Sequence, residues 1–239
     1  MLLRKYYEVG EYMLYFDSTM IILIPALLIS MYAQFKVQNT FQRYSRVFSK
    51  RGITGGEVAR RLLDEAGLSH IPVELIQGKL TDHYDPVNKV MRLSNDVYYG
   101  NSVASIGVAA HETGHAIQHK ENYAPLNIRN SIVPVVNISS SASWLLFFVG
   151  MIFSIPKLTT LGILLFSAVV LFQIITLPVE FNASARAIKI LNSRSILDSE
   201  EIYGAKKVLQ AAALTYVAAA ITAISQLLRL IALNNRNRD

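Results

Sequence analysis

The residues of this chain best suited to chemistry stand together in Ala109-Ala-His-Glu-Thr-Gly-His-Ala116. On a helix, positions four apart lie one above the other on one face, so His111 and His115 can each turn an imidazole nitrogen to a single zinc ion. Glu112, one residue on, projects beside that ion rather than onto it. There it can take a proton from an attacking water and pass it to a leaving amine. The chemistry served by this spacing is hydrolysis. The alternative is a pair of histidines satisfied by hydrogen bonds on a helix surface. Against it, residues 105–110 are small and apolar, which predicts a buried helix, and buried imidazoles need partners. The chain has no cysteine, which excludes disulfides, thiolate zinc sites and a cysteine nucleophile.

A catalytic zinc takes three protein ligands and keeps one position open. A pattern closing with glycine at 118 and histidine at 121 fails, because those residues are Gln118 and Glu121. A glutamate roughly twenty residues after the second histidine is also absent, since the chain there reads Val133-Pro-Val-Val136. What remains is a distant glutamate on a second helix. Glu180, in Pro178-Val-Glu-Phe-Asn-Ala-Ser184, fits. Pro178 suits a first helical turn, and Ala183 and Ser184 share the face of Glu180 and are small enough for two helices to approach closely. Glu200 and Glu201 compete, but the helix-start pattern Asp198-Ser-Glu-Glu already accounts for them.

The elements that must position these residues are mostly apolar. Hydrophobic residues make up 52% and charged residues 17%, against about 25% charged in soluble domains. Four apolar runs, 19–35, 132–153, 158–177 and 211–233, approach or exceed the length of about 20 residues that crosses a bilayer. Four such runs argue against buried helices of a soluble bundle. The net charge of +6 comes with no nucleic-acid motif and no basic patch interleaved with aromatics, so nucleic acid is not an expected partner. Lys36, Arg43, Arg46, Lys50 and Arg51 follow the first run, whereas the loop between the second and third holds only Lys157. This asymmetry puts 34–129 and 178–210 in the cytoplasm, although Arg4, Lys5, Arg236 and Arg238 then lie outside. Two crossings separate His115 from Glu180, which returns the carboxylate to the side of the histidines. Elsewhere, residues 1–15 suit an interfacial segment, and Thr54-Gly-Gly-Glu57 is a capping box. Strands are expected at 73–80 and 89–93 about the turn Asp85-Pro-Val-Asn88, with a helix over 102–120.

Five stretches carry a family resemblance: Leu80-Thr-Asp-His-Tyr-Asp-Pro86, Arg92-Leu-Ser, Ser102-Val to Gln118, Glu180-Phe-Asn-Ala-Ser184 and Gly204-Ala-Lys-Lys-Val-Leu to Leu228. In these the chain resembles the neutral zinc metallopeptidases of prokaryotic membranes, the YugP-like family, and more remotely the HtpX-type membrane peptidases. The resemblance implies a gluzincin-type site: His111, His115 and Glu180 hold one Zn2+ per chain and Glu112 is the general base. In HtpX-type relatives the position of Ser184 is an aspartate that braces a ligand histidine. A serine can hydrogen-bond there but carries no charge.

The expected fold is mainly α. Four transmembrane helices carry a small cytosolic α+β zincin-like portion. The divisions are 1–35 (N-terminal segment and first span), 36–131 (zincin-like portion), 132–177 (transmembrane hairpin), 178–210 (helix with the third ligand) and 211–239 (fourth span and tail). The expected function is a zinc-dependent endopeptidase of the plasma membrane. It would act at the cytoplasmic face on membrane proteins or peptides, with the lipid bilayer as its other partner. A zinc-holding scaffold that does not cleave, or a transporter using Asp17, Gln173 and Arg229, are the rival readings. Among the remaining residues, His83 suits either the substrate side or a local turn bond, and His119 an exposed polar position. Arg186 suits an intermediate-stabilising role or a salt bridge, and the strand at 90–93 suits pairing with an extended peptide.

Overall fold

Length and hydropathy set the frame. A computed structural model describes residues 18–236, so the interfacial segment expected at 1–15 lies outside the described residues, as does Asp17. A 3-10 turn, Ser18–Leu23, leads into α1 (Ile24–Tyr44). After the extramembrane portion come α5 (Ala124–Ile152), α6 (Pro156–Ser193) and α7 (Ser199–Arg236). These four are long and apolar enough to cross a membrane. Their outer faces present Leu27, Leu28, Met31, Ile138, Leu145 and Leu164, all exposed. Apolar faces of this extent match lipid rather than water. Small residues do the packing inside. The alanines Ala26 and Ala33 are the buried residues of α1, and α1 packs chiefly on α7, α7 on α6, and α6 on α5. At Gly162 an added Cβ would stand 2.8 Å from the backbone of Phe147, so only glycine lets α5 and α6 close to this distance.

The helices outrun the apolar runs. α6 has 38 residues, about 57 Å at 1.5 Å per residue, nearly twice the roughly 30 Å of a hydrocarbon core. The expected fresh helix at Pro178 is therefore not formed. Pro178 sits inside α6, and the third span continues without a break into the segment carrying Glu180. Proline removes one backbone hydrogen bond there. Packing of Phe166 and Val170 on one side of it and of Ala183, Ala187 and Leu191 on the other keeps the helix going. In the same way α7 runs from Ser199 through the fourth apolar run.

The extramembrane portion is built around one helix. α2 (Gly55–Glu65) opens with the expected capping box: Thr54 Oγ1 accepts from the Glu57 N–H, and Glu57 accepts from the Thr54 N–H. Three strands follow, β1 (Val73–Ile76), β2 (His83–Asp85) and β3 (Val90–Ser94), then α3 (Asn95–Tyr98) and α4 (Val103–Lys120). The sheet departs from the sequence expectation. The first strand stops at Ile76, and positive φ at Gly78 and Leu80 redirects the chain. Residues 83–85 then make the antiparallel partner of β3, whereas β1 pairs with β3 in parallel. The strand order β1-β3-β2 leaves β3 with both edges occupied, so it cannot receive a peptide. Asp85 fixes the tight turn by accepting from the N–H groups of Val87 and Asn88.

α4 starts at its N-cap Ser102 and is the centre of the portion. One side buries Val103, Ile106 and Ala110 with Val58, Leu62, Ala187 and Leu191. The other buries Ala109 and Ala116 with Leu63, Met91 and Leu93. The helix is thus held between the sheet and the membrane helices.

Candidate metal centre

The site is assembled where α4 crosses α6. Gly114 lies against Ala183. A Cβ built at 114 would stand 2.7 Å from the Ala183 carbonyl oxygen, a distance real Cβ atoms do not adopt. With glycine there, side chains from the two helices meet at a point. His111 Nε2 is 3.2 Å from His115 Nε2, and Glu180 Oε2 is 3.4 Å from the first and 3.5 Å from the second. Three ligands of a tetrahedral zinc, each about 2.0–2.1 Å from it, stand roughly 3.3 Å apart. The triangle has the size such an ion needs.

Two further observations fit a cation. Glu180 is buried, and its Oε2 accepts no hydrogen bond among the described residues. A buried carboxylate oxygen without a donor is costly unless a positive charge faces it. The imidazoles are also braced from behind: His111 Nδ1 meets Ser184 Oγ at 3.2 Å, and His115 Nδ1 meets Gln118 Oε1 at 3.0 Å. With Nδ1–H donating in each ring, both Nε2 lone pairs face the shared point. Ser184 thus performs the bracing that its size allows, without a charge.

Glu112 points into a cavity of about 150 Å³ bordered by Asp82, His83, Glu112, Arg129, Glu180 and Tyr216. Its Oε2 accepts from the Tyr84 N–H on β2 at 3.0 Å. Burial pushes its carboxyl above the ordinary range, against the pull of the neighbouring His111 and His115. Asp82 is likewise raised by burial, despite accepting from the Ser94 N–H and hydroxyl. A carboxylate with increased proton affinity next to a metal site is suited to accept and return a proton.

The structure brings His111, Glu112, His115 and Glu180 together, and it adds residues that the sequence reading passed over. Gln118 is fully buried, and its amide donates to the Val179 carbonyl and to Asn182 Oδ1, both at 2.9 Å. One side chain thereby ties α4 to α6 and orients His115. Its signal was present, an amide at i+3 from a candidate ligand on an apolar helix. Arg129 of α5 places Nη1 3.4 Å from Glu180 Oε1, and the Tyr216 hydroxyl of α7 interacts with the Glu180 carboxylate. No local pattern marks these two.

Other expectations sort differently. His83 makes the local turn bond, to the Thr81 carbonyl at 2.8 Å, and it also borders the cavity. His119 is not an exposed polar residue. It is half-buried and pairs with the Tyr84 hydroxyl at 2.8 Å, joining α4 to β2. Arg186 forms a salt bridge with Glu121 at 2.7 Å and does not reach the three donors. Glu200 and Glu201 serve the start of α7, with their N–H groups donating to Asp198.

The family described as "Putative neutral zinc metallopeptidase" matches residues 19–235. "Putative membrane protease YugP" of Bacillus subtilis (strain 168) is 53% identical over 216 residues, covering 90% of this chain and 96% of that protein. No solved structure matches.

The bracing can be tested directly. Ser184→Ala and Gln118→Leu should each weaken zinc binding roughly 10–100-fold, read by competition with a chromophoric chelator in protein of unchanged helical circular dichroism. Unaltered affinity in both would remove them from the site.

Proposed function

The chain belongs to the family described as "Putative neutral zinc metallopeptidase", and on that footing we propose that it is a multi-pass membrane endopeptidase. It cleaves peptide bonds of membrane proteins or peptides at the cytoplasmic face of the plasma membrane. The observation that carries this reading is the triangle of His111, His115 and Glu180 donors with the Glu112 carboxyl beside it. The centre is gluzincin-type, with those three residues holding one zinc per chain.

A zinc ion there supplies Lewis-acid polarisation of the scissile carbonyl. The chain's own groups do the rest. Glu112, fixed by the Tyr84 N–H, takes a proton from the attacking water as the new C–O bond forms. It delivers that proton to the departing nitrogen as the C–N bond breaks. Arg129 engages Glu180 Oε1, which leaves Oε2 facing the point that it shares with the two Nε2 atoms. The substrate strand lies along the outer edge of β2, because β3 is enclosed and β2 borders the cavity. Placement at the cytoplasmic face follows from Lys36, Arg43, Arg46, Lys50 and Arg51, which crowd the chain after the first span.

Purified wild-type protein is expected to hold one zinc and to cleave fluorescently labelled casein. Glu112→Gln should keep the zinc and lose activity by roughly 10²–10⁴-fold, whereas Glu180→Ala should lose the zinc. Zinc retained at wild-type level in the Glu180 variant would defeat the ligand assignment. Absence of cleavage by zinc-loaded wild type would favour a scaffold. Orientation has its own test, helped by the lack of native cysteine. A Val87→Cys thiol at the exposed hairpin tip should react with an impermeant maleimide only after cells are opened. Labelling of intact cells would reverse the topology.

A further inference from the structure

A second cavity, about 550 Å³, lies among the four spanning helices. Ala33 of α1 forms one wall, Trp144 of α5 and Phe166 of α6 the other, and α7 the floor. Its lining is unlike a lipid-facing seam. Gln173, Thr222 and Gln226 all border it, and the Gln226 Nε2 is buried with no hydrogen-bond partner among the described residues. In hydrocarbon an amide donor without an acceptor costs free energy, and an acyl chain cannot supply one. The floor also carries Ala218, Ala219 and Ala223, small residues of the kind that let another helix backbone come close.

The cavity is aligned with the metal centre. Gln173 precedes Glu180 by seven residues on α6, two turns along the same face and about 10 Å away. Thr215, at the near end of the floor, adjoins Tyr216, which borders the Glu112 cavity. Gln226 lies ten residues beyond Tyr216, about 15 Å deeper along α7. α1 packs on α7 through its buried alanines and through the Ser30–Thr222 hydroxyl pair, and the groove lies between α1 on one side and α5 and α6 on the other.

We propose that this groove is a docking site for a transmembrane segment of the substrate, one that carries a hydrogen-bond-accepting side chain such as an asparagine within the hydrocarbon layer. The inference rests on the peptidase reading and names its substrate class. The segment enters sideways from the bilayer, and its acceptor meets the Gln226 amide. The chain beyond it rises past Gln173 and Thr215 to the metal centre. For a helical segment the cleaved bond then lies about ten residues from the polar one.

The test uses the full chain in phosphatidylcholine vesicles, in a Glu112→Gln background with Ala219→Cys as the single thiol. The probe is a single-spanning leucine-alanine peptide with one central asparagine and a cysteine one turn away. Disulfide formation with this probe should exceed that with a leucine-for-asparagine probe about tenfold, which corresponds to about 1.4 kcal/mol. It should also exceed that of a chain carrying Leu161→Cys on the exposed face of α6 instead. Gln226→Met should abolish the preference for asparagine. Equal crosslinking of the two probes overturns the proposal, and needs no altered groove to show it. So does a preference that survives Gln226→Met, or self-crosslinking of Ala219→Cys without probe, which would mean that a second copy fills the groove. Cleavage does not enter this readout, so failure of the peptidase reading is told apart by the casein assay.

Discussion

Two helices from opposite parts of the chain must come within touching distance of their backbones before three donors can share one ion. Gly114 against Ala183 is the contact that permits it. A glycine inside a helix costs about 1 kcal/mol relative to alanine, and the sequence carries that cost between His111 and His115. The close approach has further dependents. Gln118 can bridge to Val179 and Asn182 only at this spacing, and Ser184 can reach His111 only because Ala183 has already seated against α4. Loss of this one contact would separate the two histidines, their braces and the buried carboxylate together.

The membrane helices contribute more than anchorage. α6 carries Glu180, α5 supplies Arg129, and α7 supplies Tyr216. All three spans on the C-terminal side of α4 therefore send a side chain to the centre, and the extramembrane portion alone would hold an incomplete site. The α2–β3 segment has a different task. It buries one side of α4 and presents the Tyr84 backbone to Glu112. The geometry of the centre thus depends on packing against both the sheet and the long apolar helices.

Much of this was legible in the sequence because it rests on local spacing. The i, i+4 histidines, the Thr54 capping box, the Asp198 helix start and the four apolar runs are patterns that neighbouring residues define. Glu180 was reachable by a topological argument, since two crossings return the chain to one side. Pro178 misled because its propensity to open a helix was outweighed by packing on either side of it. The parallel pairing of β1 escaped notice because an alternating strand does not state its partner. Arg129, Tyr216 and the His119–Tyr84 pair depend on segments meeting across long separations, where no periodicity speaks.

The unbroken course of α6 has a mechanical consequence. Its apolar stretch and Glu180 belong to one unbroken helix, and Glu180 sits less than one turn short of the Ala183 contact with Gly114. Tilting adjusts a spanning helix to the thickness of its bilayer, and a change in the tilt of α6 turns the carboxylate about that contact relative to His111 and His115. The ligand geometry is therefore coupled to the surrounding lipid, and membrane thickness becomes one of the variables that set it.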